Sequence, residues 1–131
     1  RQMCIRDRNL FGDILSDLAA ELAGSLGLAG SVNCSATKVM AQATHGAAPD
    51  IAGRGVANPV SIVASAAMML RWWGNRDDDP RLAVVADRIE DAVAATLASG
   101  LATADLGGSA STSQVGEGIV QAITKSAGSG S

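Results

Sequence analysis

His45-Gly46-Ala47-Ala48-Pro49-Asp50-Ile51-Ala52-Gly53-Arg54-Gly55-Val56-Ala57-Asn58-Pro59 is the stretch on which the reading of this chain turns. Two prolines and three glycines in fifteen residues break any regular period, so the stretch reads as an ordered loop with at most one helical turn. Loops of that length inside a compact chain are usually functional or disordered. Pro59 then stands at a favoured first helical position, where its missing N–H costs nothing. Val60, Val63, Ala64, Ala67 and Leu70 continue a helix that looks buried on most sides and is expected to stop near Gly74.

Upstream of the loop, Leu10, Ile14, Leu15, Leu18 and Leu22 recur at helical spacing, with Gly24 and Gly27 as C-terminal breakers. Ser31–Ser35 and Val39–Thr44 read as short strands. Downstream, Asn75–Asp79 is a charged connection, and Asp79-Pro80 supplies an N-cap followed by proline at N1. A helix through Leu82, Val85, Ile89, Val93 and Leu97 ends before Gly100, the expected C′ glycine. Leu106-Gly107-Gly108-Ser109 is a second turn. Ser111 and Gln114 have capping-box spacing ahead of a last helix through Val115, Ile119 and Ile123. The residues from Ser126 to Ser131 read as a flexible tail. Four helices and two or three short strands make an incomplete α/β layer, because two strands cannot build the sheet such helices would cover.

The bulk properties agree with a partial body. The chain has 131 residues, 47% hydrophobic but only 2% aromatic, with no Tyr, so its apolar content is small and aliphatic. A net charge of -3 lacks the basic footprint of a nucleic-acid binder. Cys4 and Cys34 lie far apart without metal-ligand spacing, which suits a reducing cytoplasm and argues against a zinc site or a disulfide framework. The longest apolar run, Val56–Leu70, is interrupted by Asn58, Pro59 and serines and is shorter than the roughly 20 residues of a membrane span. Arg1–Arg8 is polar and unlike a secretory leader.

Asp13, Asp17 and Glu21 fall four apart, on the face of the first helix opposite the leucines. Like charges at that spacing repel by a few tenths of a kcal/mol. A hard divalent cation would reverse the sign, and carboxylates favour Mg²⁺ or Mn²⁺ over zinc. On spacing alone, a solvated acidic face is the better explanation.

Asn9-Leu10-Phe11-Gly12-Asp13-Ile14-Leu15-Ser16-Asp17 resembles the metal-binding segment of the isocitrate/isopropylmalate dehydrogenase family. The loop 45–59 resembles that family's adenosine-binding loop, and Thr103–Thr112 its late Gly-Gly turn, all in order from Asn9 to about Ile123. The fold implied is a C-terminal fragment of an isopropylmalate dehydrogenase-like, non-Rossmann α/β fold. No G-x-G-x-x-G or P-loop is present. Residues 9–125 would be a partial dehydrogenase domain carrying the metal and NAD parts.

The resemblance implies that Asp13 and Asp17 ligate Mg²⁺ or Mn²⁺, while Glu21 has no family role. It implies that His45, Gly46, Ala47, Ala48, Asp50, Ile51 and Asn58 form the adenosine site, with Asp105 on the far side. Without the motif, His45 would read as a capped-loop or core histidine, and Gly107 and Gly108 as an ordinary turn. A carboxylate at Asp50 can accept hydrogen bonds from an adenosine ribose and would repel a 2′-phosphate, which favours NAD over NADP.

Family members oxidise a 2-hydroxy-3-carboxylate with NAD⁺ and a divalent ion and then lose carbon dioxide. The substrate implied is therefore a 2-hydroxy di- or tricarboxylate such as isopropylmalate, isocitrate, tartrate or another malate derivative, and the intact parent a cytoplasmic homodimer. The arginines, tyrosine and lysine that the family uses for substrate and proton transfer come earlier in the sequence, so none is assigned here. Residues 1–8 depart from the apolar strand expected before Asn9 and read as a foreign junction. The chain alone is expected to be inactive and, with an exposed sheet edge, prone to aggregate. The alternatives are a non-catalytic nucleotide-binding or regulatory subunit, which would not need the Asp13/Asp17 pair, and a structural helical interaction module, which would make the ordered motifs accidental.

Overall fold

The computed structural model describes residues 28–128. The expected first helix, with Asp13, Asp17 and Glu21, lies outside them. Within them the order is strand β1 (Gly30–Cys34), strand β2 (Val39–Ala43), the long loop, helix α1 (Val60–Asp77), helix α2 (Pro80–Ala98), a short 3-10 turn (Ala104–Leu106) and helix α3 (Thr112–Gly128). The mostly helical body with two short strands has the proportions read from the sequence.

β1 and β2 pair antiparallel, Gly30 opposite Ala43 and Cys34 opposite Val39. The four intervening residues are closed by Ser35, whose N–H donates to the Lys38 carbonyl at 2.8 Å and whose hydroxyl oxygen accepts from the Lys38 N–H at 3.1 Å. An isolated two-stranded ribbon is marginal in water; this one is held down on α1. Ser61 and Ser65, one turn apart on α1, are both fully buried. The Ser65 oxygen accepts from the Ser31 N–H at 2.9 Å, with the Gln42 and Ser61 carbonyls each 2.7 Å away to take its proton. Ser61 accepts from the Thr44 N–H at 3.1 Å and donates to the Ala29 carbonyl. Small polar side chains thus let strand and helix approach closely. A Cβ on Gly30 would come within 2.9 Å of the Ser65 nitrogen.

The buried face of α1 is accordingly Val60, Ser61, Ser65, Ala67 and Gly74; of the expected stripe Val60 and Ala67 are buried, while Val63, Ala64 and Leu70 are half-buried. Ile62, Met68 and Trp73 are exposed, so among the described residues the helix is not covered on most sides. It also runs past Gly74 to Asp77. Gly74 is a packing position: a Cβ there would sit 2.9 Å from the Asp79 carbonyl oxygen and 3.2 Å from the Leu82 Cβ. The turn falls instead at Asp78, a left-handed residue with φ 52°. At the other end, the Asn58 side-chain oxygen accepts from the Val60 N–H at 3.0 Å, and the Pro59 carbonyl accepts from the Val63 N–H at 3.2 Å. Asn58 therefore acts as the cap, with Pro59 in helical geometry (φ -85°, ψ -6°) behind it.

Asp79 caps α2, accepting from the Arg81 N–H at 3.0 Å, and Gly100 follows its end with φ 84°. Arg71 of α1 bridges Asp87 at 2.8 Å and Glu90 at 2.7 Å across the pair. The Ser111/Gln114 box forms reciprocally: the Gln114 side-chain oxygen accepts from the Ser111 N–H at 2.8 Å, and the Ser111 hydroxyl from the Gln114 N–H at 3.2 Å. α3 then continues to Gly128, past Ser126 where the sequence suggested a tail. Val60, Ala92, Val115 and Ile119 form the core where the three helices meet, with Leu28, Val93 and Leu101 packed around them.

Candidate nucleotide site

The loop between β2 and α1 winds around a cavity of about 540 Å³. Its course is fixed locally by a 3-10 turn, Pro49–Ile51, and by main-chain bonds from Ile51 to Ala48, Ala52 to Pro49 and Arg54 to Ile51, each 3.1–3.2 Å. Ala48 enters that turn with φ 45° and ψ 60°. This left-handed conformation costs a non-glycine residue roughly 1 kcal/mol, and strain of this kind tends to collect where a loop shapes a site. The His45 ring nitrogen Nδ1 lies 2.9 Å from the Gly46 carbonyl.

Of the eight residues expected at the adenosine site, seven line this one cavity: His45, Gly46, Ala47, Ala48, Ile51 and Asn58 from the loop, and Asp105 from the turn before α3. Asp50 does not line it. It sits exposed in the middle of the 3-10 turn, beside the wall to which its neighbour Ile51 contributes. Asp13 and Asp17 lie outside the described residues. Among the described residues there is no cluster of three or more His, Cys, Asp or Glu side chains that could hold a metal, and no helix is long and apolar enough to cross a membrane.

Two bridges tie the loop to the 103–105 turn and to the first residue of α3. In the first, the Asn58 amide donates to Asp105 Oδ2 at 2.9 Å while the other carboxylate oxygen accepts from the hydroxyl of Thr103, a residue only 1% exposed. Asn58 thus divides its side chain, the oxygen capping α1 and the nitrogen holding Asp105. In the second, the Thr112 N–H donates to the Gly55 carbonyl at 2.8 Å, and the Thr112 hydroxyl donates to the Ala57 carbonyl. The late Gly-Gly turn supports the first bridge. Gly107 is left-handed (φ 77°), and a Cβ on Gly108 would fall 2.0 Å from the Ala102 carbonyl oxygen, so the turn reading of these glycines has a direct steric basis.

Sequence reasoning missed Ala52, Gly53, Gly55, Val56, Ala57 and Ala104 as lining residues and gave no part to Thr103 or Thr112. Thr103 carried a local signal, a hydroxyl two residues before an aspartate in a turn. The Thr112 contact spans 55 residues and left none. The finished cavity has a wall mainly of Ala, Gly, Val and Ile with the polar side chains of Asn58 and Asp105 at one side. That is the common form of a small-ligand site, apolar with a few placed polar groups.

A sequence model of the isocitrate/isopropylmalate dehydrogenase family matches residues 4–119. The chain is 49% identical over 115 residues to an isocitrate/homoisocitrate dehydrogenase of Thermus thermophilus, covering 88% of the chain and 32% of that protein. It is 48% identical over 116 residues to a 3-isopropylmalate dehydrogenase of Zymomonas mobilis, with the same coverage. Among solved structures, isocitrate dehydrogenase from Methylococcus capsulatus superposes with a TM-score of 0.76 at 43% identity, over 88% of this chain and 33% of that one. The apo form of a beta-decarboxylating dehydrogenase from Thermococcus kodakarensis gives 0.77 at 41% identity, over 89% and 32%. The chain spans about a third of the length of the curated relatives it matches.

Proposed function

The chain belongs to the isocitrate/isopropylmalate dehydrogenase family, and on that premise we propose that it is the cofactor-binding part of an NAD- and Mg²⁺- or Mn²⁺-dependent oxidative decarboxylase of a 2-hydroxy-3-carboxylate. The observation that carries this reading is the convergence of seven motif residues, from two segments 47 residues apart at Asn58 and Asp105, on one cavity. A volume of about 540 Å³ is within the usual range for a small-molecule or cofactor site. Its Ala and Gly walls leave room for a flat base, and Asn58 and Asp105 offer polar partners at one side.

In this reading, Gly46 and Ala47 bring main chain close to the nucleotide, Ile51 supplies an apolar contact, and Asp50, beside the wall, accepts from ribose hydroxyls at the edge. A 2′-phosphate there would meet the Asp50 carboxylate and be repelled. NAD⁺, when bound, supplies the hydride acceptor. Asp13 and Asp17, two carboxylates four positions apart in the sequence, are the donor type that a hard divalent ion prefers, and such an ion would supply Lewis-acid stabilisation of developing oxyanion charge. The chain has no tyrosine for the proton-donating role implied by the family resemblance, so we expect the 131-residue chain to bind nucleotide and metal without turning over substrate. The parent would act as a cytoplasmic homodimer on a small di- or tricarboxylate.

Calorimetric titration of the chain tests the cofactor assignment. The expected result is saturable NAD⁺ binding with NADP⁺ weaker, and a narrower gap between the two in Asp50→Asn. Absence of NAD⁺ binding, or a preference for NADP⁺, overturns it.

A further inference from the structure

We propose that Thr112 is a positioning residue of the nucleotide site, fixing the Gly55–Ala57 wall from outside the cavity. The inference rests on the reading of the loop as that site. Gly55, Val56 and Ala57 line the cavity and Thr112 does not. Yet the two hydrogen bonds that hold this stretch in place, to the Gly55 and Ala57 carbonyls, both come from Thr112.

An ordinary helix cap does not account for them. The N-terminus of α3 already has a complete reciprocal cap in Ser111 and Gln114, which satisfies the Gln114 N–H that a capping side chain would normally serve. Thr112 is the first residue of α3, and its N–H is one of the donors with no partner inside a helix. Here that donor takes the Gly55 carbonyl, and the hydroxyl reaches past it to Ala57. Gly55 is left-handed (φ 65°), so the wall turns sharply at the residue that Thr112 grips. The rigid end of α3 thereby sets where the wall stands, and the Asn58–Asp105 bridge fixes the next residue along.

Thr112→Val keeps the branched shape and removes only the hydroxyl, and Thr112→Ser restores it. In the 131-residue chain we expect Thr112→Val to weaken NAD⁺ binding roughly 3- to 10-fold, the share of one neutral hydrogen bond. The melting midpoint should stay nearly unchanged, amide exchange at residues 56–58 should be faster, and Thr112→Ser should bind within about twofold of the parent chain. Unchanged NAD⁺ affinity in Thr112→Val, with the parent chain binding normally, overturns the positioning role and leaves the site reading intact. A lowered melting midpoint with equal weakening in Val and Ser variants also overturns it, in favour of a purely structural role. No NAD⁺ binding by the unsubstituted chain means the site reading itself has failed, and the proposal falls with it.

Discussion

Two joints in this molecule are made from the same materials and are built to different ends. Where the hairpin meets α1, Ser61 and Ser65 bond main-chain groups of β1, β2 and their flanks. Where the loop meets the start of α3, Thr112 does the equivalent for the Gly55 and Ala57 carbonyls, and Asn58 and Asp105 join side chain to side chain. The serines are 0% exposed, whereas Asp105 is exposed and Asn58 and Thr112 are half-buried. A buried hydroxyl that is removed leaves its partners without water, at a cost of about 1–3 kcal/mol for each group orphaned. At an exposed rim water can replace it. The first joint therefore secures the fold, and the second shapes a cavity wall at little cost in stability, which is what a site that must admit a ligand requires.

The largest effect we expect is at the turn beneath the second joint. Gly108→Ala places a carbon 2.0 Å from the Ala102 carbonyl, backbone against backbone, and should destabilise the chain by about 3 kcal/mol in urea melts. A melt unchanged from the parent would show that the turn can move freely and is not what holds Asp105. Next, Ser65→Ala removes a fully buried hydroxyl and strands the half-buried Ser31 N–H, and should cost about 2 kcal/mol. The matched change at the rim, Asp105→Asn, keeps an amide oxygen for the buried Thr103 hydroxyl and loses the exposed bond to Asn58, so it should cost about 1 kcal/mol or less. Equal losses at the two sites would break the comparison.

The smallest effect is a pH dependence near the first joint's far end. The Arg81 guanidinium holds the Asp79 carboxyl below the usual carboxylate range, assisted by the Arg81 N–H it caps, and Arg76 does the same for Asp77. A carboxyl with a depressed folded-state pKa adds stability that is fully present above its unfolded value and is lost as pH falls through the folded one. Acid titration of the melting midpoint should show a small loss across and below the ordinary carboxylate range, reduced in Asp79→Asn. A rise in stability on acidification would contradict the assignment.

The sequence was most legible where a signal is local. Asp79-Pro80, the Ser111/Gln114 box, Gly100 after α2 and the single turn in the 45–59 loop all depend on neighbours a few residues away, and each is seen in the structure. It was least legible where packing decides. Gly74 reads as a helix stop by propensity, yet it is the point where α1 and the start of α2 pass too closely for a Cβ. The apolar spacing on α1 gives no part to Ser61 and Ser65, yet they are fully buried, because a neighbouring hairpin supplies their partners. The candidate site was legible as a set of residues from the motif, but its closure was not: Thr112 acts across 55 positions, and nothing in the sequence links them.

The central claim is that the loop and the 103–105 turn together form a nucleotide site, while the serine joint is scaffold. Amide chemical shifts of the labelled chain during titration with NAD⁺ test it most directly. The account predicts saturable shifts at residues 45–58 and at Ala104 and Asp105, with the amides of Ser31 and Thr44 at the serine joint unmoved. Shifts confined to the hairpin, or no saturable shift at the loop, would contradict it.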